Sequence, residues 1–222
     1  QRLIRLGEIP EHIFSVGCPS IDAIFSEPVL PKEEILYKYK LREPYILVLQ
    51  HPVTSEIKNA EDQITETIQA VQEMEQEGLD ALMIFPNNDA GHSRIIARIE
   101  KANIKHIPTL TLSEYVNLVR NAVALVGNSS SGIHETASLG VPTVNVGSRQ
   151  QGRQRPDNVL DTGYNKVEIK NAIRRCMTDD AFISKVSLKQ NPYGNGHSAQ
   201  AIVEHLKTID ISDKIIQKQI TY

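Results

Sequence analysis

Six small residues, Gly127-Asn128-Ser129-Ser130-Ser131-Gly132, put hydroxyls and backbone N–H groups into one short turn. The apolar run Val123 to Val126 before it reads as the end of a buried strand. Ile133 to Leu139 after it reads as a helix stopped by Gly140, and Val141 to Val146 as the next strand. A strand, a small-residue turn and a helix N-terminus together make an anion site in α/β sheets. The first N–H groups of a helix lack internal partners, and the helix dipole adds positive potential there. The spacing from Gly127 to Gly132 is that of a P-loop, but Ile133 and His134 stand where Lys and a hydroxyl residue would grip a triphosphate and magnesium. No third glycine completes a dinucleotide fingerprint. By spacing alone the turn fits an anion cradle and a Ser-rich N-cap equally.

Ligands of open α/β sheets bind at the carboxyl ends of the strands, so the residues there are the ones to inspect. Besides the 127–132 turn, these are His51, Asn87 in the run Pro86-Asn87-Asn88-Asp89, and Gly147-Ser148-Arg149. Each has a structural reading: a capped strand end for His51, a turn with an N-cap for Asn87, a solvated loop for Arg149 with Arg153 and Arg155. Glu135, one turn into the helix, could merely favour its dipole. Gathered at one sheet edge they suit a nucleotide diphosphate. Helix N–H groups and a guanidinium would meet the phosphates, and a carboxylate would accept from ribose hydroxyls.

The elements that must position these groups alternate along the chain. Tyr45 to Gln50 reads as a buried strand, Ile57 to Gln76 as a helix with Ile64, Ile68 and Val71 on one face, and Leu79 to Phe85 as a second strand. Arg94 to Lys101 follows as a helix, Ile104 to Ile107 as a short strand, and Ser113 with Glu114 as the start of a helix through Arg120. Val159-Leu160 reads as a last short strand, with helices at about Val167–Met177 and Ala199–Leu206. Alternation of this kind predicts an α/β, Rossmann-like, doubly wound parallel sheet. Upstream, Arg2 to Leu6 reads as the end of a helix, Gly7 to Pro10 as a turn, Ile13 to Val16 as a strand and Ile21 to Phe25 as a helical turn. Glu27 to Leu41 reads as a linker followed by an exposed helix. The shift in composition puts a domain boundary between Ser20 and Pro31.

The chain has 222 residues, 40% of them apolar, a net charge of -3 and a pI near 6.2. That balance argues against a general nucleic-acid or membrane-surface binder. Cys18 and Cys176 stand far apart in no ligand spacing, so neither a zinc site nor a disulfide framework is indicated, and the histidines outside His51 show no metal pattern. No apolar run is long enough to cross a membrane. The first residues, QRLIRLGEIP, begin without Met and lack a signal-peptide core, which reads as a fragment or a processed chain.

The segment GNSSSGIHETASLGVPTVNVGSRQQGR, 127–153, resembles the C-terminal half of the hydrolysing UDP-N-acetylglucosamine 2-epimerases, the enzymes that open sialic acid and related nonulosonic acid biosynthesis. That family carries a GNSS-G-x-x-E block, a G-x-P-x-x-N-x-G-x-R-Q stretch and a following G-R. LQHPVT at 49–54 and FPNNDAG at 85–91 match two further blocks in order, and GCPSID at 17–22 resembles the end of the family's first domain. The resemblance implies the C-terminal half of a GT-B-type two-domain fold. Residues 1–22 would be the tail of the N-terminal domain and the hinge, 23–207 the nucleotide-binding domain, and 208–222 a C-terminal tail packing back across the first domain.

Carried onto this sequence, the resemblance implies UDP contacts from Ser129, Ser130 and Arg149 at the diphosphate, Glu135 at the ribose, Asn87 in the nucleotide pocket and the main chain near Leu110 at the uracil. His51 would sit near the diphosphate or the sugar, as a contact or as the catalytic aid to the leaving group. The family reaction eliminates UDP with loss of the C2 proton and hydrates the product to free N-acetylmannosamine, without cofactor or metal, in the cytoplasm. Its acid and base carboxylates belong to the first domain, so this chain alone is expected to bind UDP weakly and not turn over. A UDP-N,N'-diacetylbacillosamine 2-epimerase, a GT-B glycosyltransferase and a non-catalytic nucleotide-sugar module remain alternatives. Thr143 stands where many retaining glycosyltransferases carry a second Glu. Homo-oligomers are common in the resembled family, but no surface legible in this sequence demonstrates one.

Overall fold

A computed structural model of the chain describes residues 1–211. Six strands form one parallel sheet: β1 (Tyr45–Leu49), β2 (Asp80–Ile84), β3 (Lys105–Ile107), β4 (Ala124–Gly127), β5 (Thr143–Val146) and β6 (Val159–Thr162). Their order is β3-β2-β1-β4-β5-β6, the doubly wound arrangement. The chain builds outward from β1 to one edge, returns to the centre, and builds outward again from β4.

The helices are α1 (Arg2–Arg5), α2 (Pro19–Ser26), α3 (Lys32–Tyr39), α4 (Ala60–Gln76), α5 (His92–Lys101), α6 (Leu112–Asn121), α7 (Ser131–His134), α8 (Thr136–Leu139), α9 (Lys166–Thr178), α10 (Asp180–Ser187) and α11 (Ser198–Thr208). Both faces of the sheet are covered, which is why β1 reads YILVL without polar alternation. Ile46 and Val48 point to the face packed by Ile64, Ile68 and Val71 of α4, Ile95 of α5 and Ile169 and Ile173 of α9. Tyr45 and Leu47 point to the other, against Ile24 of α2, Ile35 of α3 and Val116 and Val119 of α6. The Tyr45 hydroxyl satisfies itself on the Leu118 carbonyl at 2.6 Å.

Several sequence expectations are corrected. Ile13 to Val16 is not a strand. The sheet edges are β3 and β6, and Phe14 instead lies against His205 of α11, with ring centroids 4.2 Å apart. The segment 27–41 is no free linker with an exposed helix, because Ile35 and Leu41 are buried in the core. Helix α6 starts earlier than Ser113. Thr111 accepts the Glu114 N–H, while Glu114 accepts the Thr111 N–H at 2.9 Å, a reciprocal capping box that fixes the start. Helix α10 has no counterpart among the sequence expectations; Asp179 caps it by accepting from Phe182 N–H at 3.1 Å.

The helix expected over Ile133 to Leu139 is two short pieces, α7 and α8, broken at Glu135 (φ -109°, ψ -41°). Gly140 ends it in the left-handed region (φ 74°), as expected. Beneath the break lies a buried polar network. Asn158 donates to the Thr136 hydroxyl at 2.9 Å and to the Val141 carbonyl at 2.6 Å; Thr136 Oγ1 also lies 2.9 Å from the Gly132 carbonyl and 2.8 Å from Thr143 Oγ1. Gly132 sits flush on β5: a Cβ there would lie 2.6 Å from Thr143 Cγ2.

Candidate functional site

The strand order reverses between β1 and β4, so the switch-point crevice opens at the carboxyl ends of those two strands. Leu49 of β1 pairs with Gly127 of β4. Gly127 has φ 127°, and a Cβ there would lie 2.2 Å from the Leu49 carbonyl oxygen, so only glycine lets β4 turn across the end of β1. The turn delivers Asn128, 1% exposed, to the chain that follows β1.

Asn128 is the hub. Its Oδ1 accepts the His51 N–H at 2.6 Å and its Nδ2 donates to the His51 carbonyl at 2.9 Å. Its own carbonyl accepts from Arg149 Nη1 at 3.2 Å and from Gln150 Nε2 at 2.7 Å. One buried side chain and one carbonyl thus tie the ends of β1, β4 and β5 together. Sequence reasoning noted Asn128 only as a member of the turn, although its place as the first polar residue after a buried strand was a signal.

His51 is half-buried, and its Nδ1 accepts the Asn87 N–H at 3.0 Å. An acceptor at Nδ1 places the proton of the neutral ring on Nε2. Burial, then the nearby Arg149 charge, pushes its pKa down to about 4, while Asp89 acts in the opposite direction. His51 is therefore a neutral hydrogen-bond donor at ordinary pH. Asn87 Nδ2 donates to Asp89 Oδ2 at 2.7 Å, and that oxygen lies 3.7 Å from Arg149 Nη2. Of the residues expected at the site, the structure brings His51, Asn87 and Arg149 together, with Asn128 and Asp89 added.

Ser129 and Ser130 adjoin this hub. The Ser131, Gly132 and Ile133 N–H groups are already bonded, to Ser129 Oγ at 3.3 Å, the Ser129 carbonyl at 3.2 Å and the Ser130 carbonyl at 2.9 Å. The N–H groups of Ser129 and Ser130 and the Ser130 hydroxyl make no hydrogen bond among the described residues. The free donors thus sit in the turn itself, one step before the helix where the sequence placed them.

Glu135 is half-buried at the helix break, and its carboxylate has no hydrogen bond or ion pair among the described residues. Beside it, His134 packs tilted against Tyr193 with centroids 4.3 Å apart and its Nε2 meets Arg153 Nη1 at 3.1 Å, while the Tyr193 hydroxyl donates to the Gln154 carbonyl at 2.9 Å. Those contacts fasten the loop that carries Arg149. Leu110, beyond β3, packs its side chain on the core, and no hydrogen bond joins it to the hub. On the other side of Arg149, a cavity of about 410 Å³ is lined by Pro52, Val53, Glu56, Asp89, Ser148 and Arg149 among others. Glu56 there accepts from the Ser148 hydroxyl and from Gln63 Nε2. Together these groups can hold an anion against backbone N–H groups and a guanidinium beside a neutral imidazole, and Glu135 is the one carboxylate of the set with no partner among the described residues.

The family model described as UDP-N-acetylglucosamine 2-epimerase matches residues 1–207. The chain is 32% identical over 98% of its length to a UDP-N,N'-diacetylbacillosamine 2-epimerase (hydrolyzing) of Legionella pneumophila subsp. pneumophila, of which it covers 57%. It is 32% identical over 82% of its length to a UDP-N-acetylglucosamine 2-epimerase of Neisseria meningitidis serogroup B, of which it covers 50%. In fold it is similar to a crystal structure of a Neisseria meningitidis UDP-GlcNAc 2-epimerase bound to UDP-GlcNAc, with a TM-score of 0.76 at 17% identity over 93% of this chain and 58% of that one. It is also similar to a S. aureus MnaA–UDP co-structure, with a TM-score of 0.74 at 22% identity over 99% of this chain and 59% of that one. The chain therefore spans between half and three-fifths of the length of these relatives.

Proposed function

The chain belongs to the UDP-N-acetylglucosamine 2-epimerase family, and from that footing we propose that it is the C-terminal, UDP-binding half of a hydrolysing 2-epimerase with a GT-B arrangement. The observation that carries the reading is the set of unused donors at the switch point. Among the described residues the Ser129 and Ser130 N–H groups and His51 Nε2 have no hydrogen-bond partner, Arg149 Nη2 has only the long pairing with Asp89, and Asn128 ties His51 and Arg149 to the same turn. In the reaction, UDP leaves the anomeric carbon as the C2 proton is lost, and water adds to give the free 2-epimeric sugar. These donors stabilise the charge that grows on the departing diphosphate. His51 serves as a neutral donor to a phosphate oxygen, not as an imidazolium acid. Glu135 accepts from the ribose hydroxyls, the Asn87 segment and the main chain near Leu110 border the base and ribose, and the proton-transferring carboxylates come from the partner domain of a two-domain enzyme.

The substrate of this reading is UDP-N-acetylglucosamine. The identity to the Legionella relative over 98% of the chain keeps the N,N'-diacetylbacillosamine nucleotide as the second sugar to test. Among the described residues no helix is long and apolar enough to cross a membrane; a cytoplasmic enzyme is part of the proposal and follows from the family reading alone. Calorimetric titration of UDP and of uridine into the chain tests the nucleotide half of the proposal. Binding of UDP but not uridine supports it, and absence of UDP binding overturns it. Release of UDP from the nucleotide sugar by the chain alone, at the rate of a two-domain enzyme, would refute the placement of the carboxylates.

A further inference from the structure

Arg149 is held in a half-satisfied state. Nη1 donates to the Asn128 carbonyl at 3.2 Å, whereas among the described residues Nη2 is paired only with Asp89 Oδ2, at 3.7 Å and beyond hydrogen-bonding distance. The guanidinium feels the carboxylate's charge without being bonded by it. Asp89 is not there by accident of a mobile side chain. Asn87 Nδ2 anchors the same Oδ2 at 2.7 Å, and the Asp89 carbonyl accepts the His92 N–H at 3.0 Å at the start of α5. Its side chain is 40% exposed, against 25% for Arg149, so it has open solvent to turn into.

A carboxylate anchored beside the guanidinium has two consequences for an anion entering the crevice. It repels the phosphates, and it competes for Nη2. A diphosphate can offer Nη2 a short charge-assisted bond that Asp89 does not make, so the guanidinium exchanges one anion for the other. We propose that Asp89 is an electrostatic stand-in for the diphosphate: it competes with the phosphates for Arg149 Nη2 and lowers the affinity of the site for UDP, so that UDP leaves after each turnover. The proposal rests on the UDP-binding reading above and adds a residue whose charge works against that binding. The opposite role, a support that Arg149 needs to be in place, predicts the opposite sign on removal.

The test is Asp89→Asn, which keeps an acceptor for Asn87 Nδ2 and removes only the charge. UDP, inorganic pyrophosphate and uridine are titrated calorimetrically into both proteins, and UDP dissociation is followed by stopped flow. A half-exposed pair of this kind predicts UDP and pyrophosphate binding tighter by roughly threefold to tenfold in the variant, slower UDP dissociation, and no change for uridine. The gain should vanish in the Arg149→Ala background. Unchanged or weaker UDP binding in Asp89→Asn, or a gain shared by uridine, overturns the proposal while leaving the UDP reading intact. Failure of the unaltered chain to bind UDP at all overturns both.

Discussion

Asn128 grips His51 by both of its main-chain polar groups, accepting its N–H at 2.6 Å and donating to its carbonyl at 2.9 Å, across 77 residues of sequence. Asn128→Ala strips both partners from a partly buried backbone. Unfolding in urea should show a loss of about 2–4 kcal/mol. Asn128→Asp keeps one acceptor but sets a second carboxylate oxygen against the His51 carbonyl in a buried place, and should cost at least as much as alanine. Stability of the alanine variant within about 0.5 kcal/mol of the unaltered chain would remove Asn128 from its place as hub.

Arg149→Ala removes the guanidinium from the crevice. Loss of a charge-assisted contact to phosphate should weaken UDP binding by about 1.5–3 kcal/mol, roughly ten- to hundredfold. Lys in its place should recover only part of this, since a point charge cannot reproduce the fork. Calorimetry with UDP reads both variants, and equal affinity for all three would show that Arg149 does not touch the ligand.

His51 should make stability pH-dependent. Its pKa is lowered from 6.5 to about 4 in the folded chain by burial and the Arg149 charge. Between those values the unfolded chain binds the proton and the folded chain does not, so stability is full above pH 6.5 and falls toward pH 4. The group's share of that loss is about 2–3 kcal/mol. His51→Gln should flatten the slope between pH 6.5 and 4 in urea melts. Bound UDP should raise the His51 pKa, which proton NMR of the imidazole reads directly.

Gly132→Ala places a Cβ 2.6 Å from Thr143 Cγ2 in the buried layer under α7. Overpacking of this kind should cost about 1–3 kcal/mol. Thr143→Ser removes the offending methyl and keeps the hydroxyl that faces Thr136, so the pair should be less than additive by thermal or urea denaturation. Full additivity would show that the clash is relieved elsewhere.

Burial made the central strands legible, because strands covered on both faces tend to be apolar runs, as YILVL in β1 illustrates, whereas the edge strands β3 (KHI) and β6 (VLDT) are only partly buried and were placed by the alternation of elements around them. Periodicity failed at Ile13 to Val16, which joins no strand and whose Phe14 lies against His205 of α11. It also failed at Glu135, where buried hydroxyls interrupt a helix that local propensity would continue. At the site, inspecting the carboxyl end of each strand located His51, Asn87 and Arg149. It noted Asn128 and Asp89 only as members of the strand-end runs, because their bonds to His51 and Arg149 join segments far apart in the chain; the one local signal was Asn128's place as the first polar residue after a buried strand. Leu110 rests on resemblance alone and Glu135 on resemblance and its place one turn into the helix, since no contact in the structure joins either to the hub. The tail from Ile211 lies almost wholly outside the described residues.

The bond from the His51 amide to Asn128 also makes that hydrogen a clock. It is part-buried where the chain leaving β1 meets the chain leaving β4, and exchange with solvent requires the bond between those two strand ends to break. Deuterium uptake at His51 should therefore track the opening of that junction. Any ligand that engages this hub should slow exchange across the whole sheet, in proportion to its free concentration over its Kd.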